Sequence, residues 1–122
     1  MNWSRLAASA LGIAVILGAF GAHGLKGRLD AYAIGIYEKA VFYHFIHALG
    51  MLITSTLPKS GALSSQTAAR ICALFAAGIV LFSGSLYLLA VTGVTVLGAI
   101  TPLGGLAFIA AWFLLAWSLP SS

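Results

Sequence analysis

A chain of 122 residues with 61% hydrophobic and only 7% charged side chains lies outside the range of soluble domains, in which about a quarter of residues are charged. The net charge of +4 comes from six basic residues scattered over Arg5, Lys26, Arg28, Lys39, Lys59 and Arg70. They flank apolar runs and form no cluster dense enough to track phosphates, which excludes nucleic acid as a partner. From Ile71 to Ser122 there is no Asp, Glu, Lys, Arg or His, so this half can cross a bilayer twice with a turn between.

A spanning helix needs roughly 20 mostly apolar residues, because in hydrocarbon each backbone N–H and C=O must be bonded within its own helix. The first such run, residues 4–25, lies between Arg5 and Lys26. Arg5, the apolar run and the string GAFGAHG imitate a signal peptide. The run is nevertheless expected to be retained: Gly12, Gly18, Ala19 and Ala22 suit a packed membrane helix, with Gly18 and Ala22 at small-x-x-x-small spacing. Residues 27–39 read as a turn and a short interfacial helix, with Asp30 as N-cap and Tyr32, Ile36 and Tyr37 against the headgroups. The second span follows over residues 40–57.

Pro58, Ser60, Gly61 and Ser64 mark a polar loop reaching Thr67. The third span covers residues 68–90, and the lone Cys72 at its start is expected to be a small packing residue. A turn around Thr92, Gly93 and Gly98 leads to Thr101 and Pro102, a helix-start signal, and the fourth span runs over residues 102–119 until Pro120. Trp3 and Trp117, near the two chain ends, suit an aromatic belt on one side. The expected fold is an all-α integral membrane protein, an antiparallel four-transmembrane-helix bundle with a short interfacial helix after the first span. Residues 1–122 form a single transmembrane domain. The N-terminus and second loop carry Arg5, Lys59 and Arg70, against Lys26, Arg28 and Lys39 in the first loop. That balance leaves orientation open, with both termini inside as the working expectation.

Four strings stand out: GAFGAHGLKG (residues 18–27), YHFIHALG (43–50), LFSGSLYLLAVTG (81–93) and ITPLGG (100–105). In this order and spacing the chain resembles a small bacterial inner-membrane family of unknown function, typified by YgdD and YwdK, with transmembrane relatives in animals. The resemblance implies four transmembrane helices and supplies no activity or catalytic residues. His23 and His47 fit the family's pattern, whereas His44 stands where another polar residue, such as Gln, is usual.

Up-and-down connectivity brings the four strings to the end opposite the termini. At about 1.5 Å per residue, His23 falls about 5 Å inside Lys26, and His44 and His47 about 7 and 12 Å inside Lys39. An ionisable group inside a membrane span normally points into the bundle, so His23, Tyr43, His44, His47, Ser83, Ser85, Tyr87 and Thr101 form a candidate polar pocket. His47 is expected to face the bundle as a neutral imidazole, hydrogen-bonded to the first or third helix. The plain reading of the histidines is that they tie helices together; His23, His44 and His47 are also the only candidate metal ligands, and a lone H-x-x-H is a weak signal. Ser83 and Ser85 lack an intramembrane acidic partner and a G-x-S-x-G elbow, which argues against nucleophilic catalysis. Helix packing is expected at Gly18, Ala22, Gly84, Gly104 and Gly105, with Gly12, Ala77 and Ala107 or Ala111 in support.

No catalytic residue and no cofactor are expected. The leading reading is a structural or accessory membrane component, partnered by the lipid bilayer and by a second copy or a larger membrane complex. The alternatives are an oligomeric transporter or channel for a small solute, or a haem-, quinone- or metal-binding redox protein using the histidines.

Overall fold

In the computed structural model, which describes residues 1–121, helix α1 (Trp3–His23) begins where the Asn2 side chain accepts the Arg5 N–H at 3.0 Å. Helix α2 (Ala31–Thr56) is capped by Asp30, whose side chain accepts the Ala33 N–H at 2.8 Å. From that cap α2 runs unbroken for 26 residues, so the expected interfacial segment is the first turns of the second span itself. Nothing in AYAIGIYEK breaks a helix, and Tyr37 is 3% exposed, turned into the protein and away from the headgroups.

Pro58 starts a 3-10 turn over Leu57–Ser60, and Gly61 reverses the chain with φ +80°. Helix α3 (Ser65–Gly78) is capped by Ser64, which accepts the Thr67 N–H at 3.1 Å. It passes into a π-helical segment, Ile79–Gly84, and then into α4 (Ser85–Thr92), which ends where Gly93 takes φ +71°. A 3-10 turn over Thr95–Ala99 leads to α5 (Thr101–Ser118), with Pro102 in its first turn. Four helical stretches are long and apolar enough to cross a membrane: Trp3–His23, Ala31–Ser60, Ser65–Thr92 and Thr95–Ser118.

Successive spans are antiparallel. Ser4 bonds Ser55 at 2.8 Å, Ser83 donates to the Ala40 carbonyl at 2.8 Å, and Ser85 meets Thr101 at 2.6 Å. The first loop and the Thr95–Ala99 turn therefore share one end, and the termini and second loop the other. Phe75, Met51, Ile71, Phe108 and Ala111 form the central core, while Leu25, Tyr37 and Ala90 form a smaller cluster near the first loop. Ile16, Val80 and Phe113 are 67%, 69% and 64% exposed, an apolar exterior that suits lipid tails and not water. Helix α1 buries only Ala7 and Ala14 and rests chiefly on α2.

Of the glycines expected at helix contacts, Gly104 makes the close backbone approach and the others do not. A Cβ on Gly104 would collide with the Phe82 backbone nitrogen and lie 2.8 Å from the Leu81 carbonyl carbon, so only glycine lets α5 cross the π segment there. At Gly84 a Cβ would meet nothing nearer than the Ile79 carbonyl oxygen at 3.9 Å; at Gly105 the nearest contact is also 3.9 Å, and at Gly12 nothing lies within 4 Å. Ala22 is exposed, and Gly18 stands 3.4 Å from Val41. The wide π turn presents Phe82, and not Gly84, to α5. Gly104→Leu should therefore cost about 2–3 kcal/mol in detergent unfolding by forcing backbone apart. Gly84→Ala should stay within about 0.5 kcal/mol of wild type.

Candidate functional site

The middle of α2 carries most of the polar groups. Counting from Ala31, His44 lies about 20 Å along α2 at 1.5 Å per residue, far deeper than a helix beginning at residue 40 would place it. Its Nδ1 is 2.8 Å from the Tyr87 hydroxyl on α4. His44 thus links α2 to α4. Beside it, Tyr37 donates to the Leu17 carbonyl of α1 at 2.5 Å and meets the Tyr87 ring edge-on, with centroids 5.3 Å apart.

His47 is 5% exposed and faces the bundle, but its hydrogen bond is not to another helix. Nδ1 lies 2.7 Å from the Tyr43 carbonyl one turn earlier in α2; a carbonyl only accepts, so Nδ1 carries the hydrogen. The expected bond to the first or third helix is replaced by stacking. The Phe108 ring of α5 lies parallel to the imidazole, with centroids 3.5 Å apart and an 8° interplanar angle, and Phe75 and Trp112 flank it at 5.9 Å. Nδ1 is spent within α2, and among the described residues His47 makes no hydrogen bond to another helix.

The π segment turns Ser83 inward, where the hydroxyl is fully buried and donates to the Ala40 carbonyl of α2. Such bulges occur frequently at functional sites and add a residue per turn, re-aiming the side chains after them. Ser85 donates to the Phe82 carbonyl at 2.9 Å as well as meeting Thr101. Tyr43 is 36% exposed; its ring lies 4.6 Å from Phe82 in the aromatic cluster, and only its carbonyl enters the hydrogen-bond network.

His23 stands apart from this group. It is the last residue of α1 and exposed. Because Leu17 is level with Tyr37, His23 and His44 are separated by about 20 Å along the bundle axis at 1.5 Å per residue. The convergence of three histidines is thus not realised: α2 begins about two and a half turns earlier than expected and carries His44 away from the first loop. Among the described residues no group of three or more His, Cys, Asp or Glu is placed to hold a metal ion. Sequence reasoning missed Tyr37, the Leu17 carbonyl, and the Phe75, Phe108 and Trp112 rings. Tyr37 carried a signal, since it lies seven residues before His44 on one face of a helix, but only if that helix is continuous.

Comparison with known proteins bears on the whole of this region. A family model described as "Protein of unknown function (DUF423)" matches residues 17–105, from the second half of α1 to the start of α5. The chain is 50% identical over 104 residues to the UPF0382 membrane protein YwdK of Bacillus subtilis, covering 84% of this chain and 83% of that protein. It is 47% identical over 98 residues to a UPF0382 membrane protein of Staphylococcus haemolyticus, covering 80% and 78%. A UPF0382 membrane protein of Staphylococcus epidermidis is 47% identical over 103 residues, covering 84% and 82%. No solved structure matches the chain.

The geometry makes the His44–Tyr87 pair separable from its surroundings. Tyr87→Phe should cost about 1 kcal/mol in detergent unfolding, and a double-mutant cycle with His44→Leu should return a coupling of about 0.6 kcal/mol or more. Tyr43→Phe, which leaves the carbonyl in place, should change stability by less than about 0.5 kcal/mol.

Proposed function

The chain belongs to the DUF423 family, and from that premise we propose that it is a structural or accessory component of the bacterial inner membrane, whose histidine-containing polar network holds the helices in register. It acts with a second copy or within a larger membrane complex. The observation that carries this reading is that the buried polar side chains are engaged by the protein itself. His44, His47, Ser83 and Ser85 each have a partner within the chain, and Thr54 Oγ1 is the one buried side-chain polar atom without one among the described residues. A catalytic or ion-conducting site needs polar groups that remain available to substrate, and such groups inside a bundle are costly to hold there.

The membrane location is supported by the four apolar spans and by relatives named as membrane proteins. We place both termini on the cytoplasmic side. Arg5, Lys59 and Arg70 then face the cytoplasm and Lys26 and Arg28 the opposite side.

Two measurements test these statements. Protein purified in a mild detergent should show no stoichiometric metal and no visible absorption band, and His47→Gln should fold and retain whatever phenotype complements a deletion. A one-to-one metal or a Soret band, or a folded His47→Gln that has lost the phenotype, overturns the structural reading. In a Cys72→Ala background, Ser64→Cys should be labelled from the cytoplasmic side by an impermeant maleimide and Arg28→Cys only from the other. The reverse pattern inverts the topology, and labelling of both from one side refutes the antiparallel arrangement of the first two spans.

A further inference from the structure

Between the C-terminal half of α1 and the first half of α2 lies a groove of about 600 Å³, apart from the histidine network. Its walls are apolar, with Gly18 and Ala22 on α1 and Val41 and Phe45 on α2, and its two charged lining residues are Lys26 and Glu38. The small residues of α1 leave the space open, and since α1 rests chiefly on α2, no other helix covers it. On the α2 side the lining extends from Ile34 to Ile46, a rise of about 18 Å. One leaflet of a bilayer is about 15 Å of hydrocarbon, so the groove is one acyl chain long.

The charges have an axial order. Lys26 lies beyond the end of α1, at the level of the first loop, while Glu38 lies seven residues inside α2, about 10 Å deeper. A carboxylate beside hydrocarbon needs a donor, and a cation at the rim attracts an anion. An occupant that matches this order carries an anionic group outermost, a hydroxyl donor just inside it, and one chain below. A phosphoethanolamine headgroup has the opposite order, with its ammonium outside its phosphate.

We propose that the α1/α2 groove is a binding site for a single-chain anionic glycerophospholipid, a lysophospholipid, with its phosphate at Lys26, its free glycerol hydroxyl donating to Glu38, and its acyl chain between Gly18 and Phe45. The inference does not rest on the accessory role proposed above, and it holds or fails without it.

Native mass spectrometry of the full chain in a maltoside detergent tests it, with 1-palmitoyl-lysophosphatidylglycerol as probe and dipalmitoyl phosphatidylglycerol and 1-palmitoylglycerol as comparisons. Wild type should retain one lysophosphatidylglycerol per chain and bind it about tenfold more tightly than either comparison. Lys26→Ala and Glu38→Ala should each weaken binding about tenfold, and Ala22→Phe, which fills the groove from an exposed position, should abolish it. Lys59→Ala, at the opposite end, should leave it unchanged. Equal binding of the two-chain lipid, or retention of the probe by Ala22→Phe, overturns the proposal. A circular dichroism spectrum of each variant separates a lost site from a lost fold.

Discussion

No water reaches the hydrocarbon interior of a bilayer, so each backbone amide and each buried hydroxyl or imidazole must find its partner inside the protein. Much of this chain's architecture follows from that requirement. Most of its hydroxyls answer it locally: Ser55, Thr56 and Thr92 donate to carbonyls three or four residues back in their own helices, at 2.6, 2.7 and 2.6 Å. Such bonds satisfy the side chain but say nothing about where neighbouring helices sit. The few bonds among the described residues that cross between helices do that: Ser4 to Ser55, Tyr37 to Leu17, His44 to Tyr87, Cys72 to Met51, Ser83 to Ala40 and Ser85 to Thr101. Lipid tails are as apolar as the side chains they touch, so van der Waals packing alone tolerates sliding, and directional bonds specify register.

The third span shows how two such demands are met at once. Phe82 must lie against α5, where Gly104 removes the obstruction, while the next residue, Ser83, must reach the Ala40 carbonyl on α2. The two helices lie on different sides of the third span. The π segment from Ile79 to Gly84 locally widens the turn between two regular α-helices and lets consecutive side chains serve both neighbours. The glycine at 84 belongs to that altered turn, which is why small-residue spacing was a poor guide to contact there.

The four apolar helices, the Asp30 cap and the turn at Gly93 were legible because they depend on local chemistry. Ser64, read as part of a loop reaching Thr67, instead caps α3, which starts at Ser65. The start of the second span was not legible, because Glu38 and Lys39 look like a membrane boundary. Lys39 can extend its charged head along apolar surface toward the interface without ending the helix, and Glu38 lines the groove beside α1, so neither charge marks a boundary. That single misplacement moved His44 by more than two turns relative to His23 and dispersed the expected three-histidine cluster. The partner of Tyr37 was illegible for a different reason: it is the Leu17 backbone carbonyl, which no residue pattern advertises.

The string GAFGAHG then acquires a physical meaning that helix-packing spacing alone does not supply. A Cβ on Gly21 would collide with the Tyr37 ring, so glycine at that position is what allows the ring to lie against α1 and its hydroxyl to reach the Leu17 carbonyl. Helix α1 therefore contributes a backbone acceptor, at Leu17, to the Tyr37 side chain of α2. This explains how a helix with only two buried residues is held in place. It also explains why the small residues that seat Tyr37 leave open space beside it. Gly18 and Ala22 are too small to fill the gap beside the bulk of Val41 and Phe45, so the requirement that anchors α1 is also the one that leaves a groove facing the lipid.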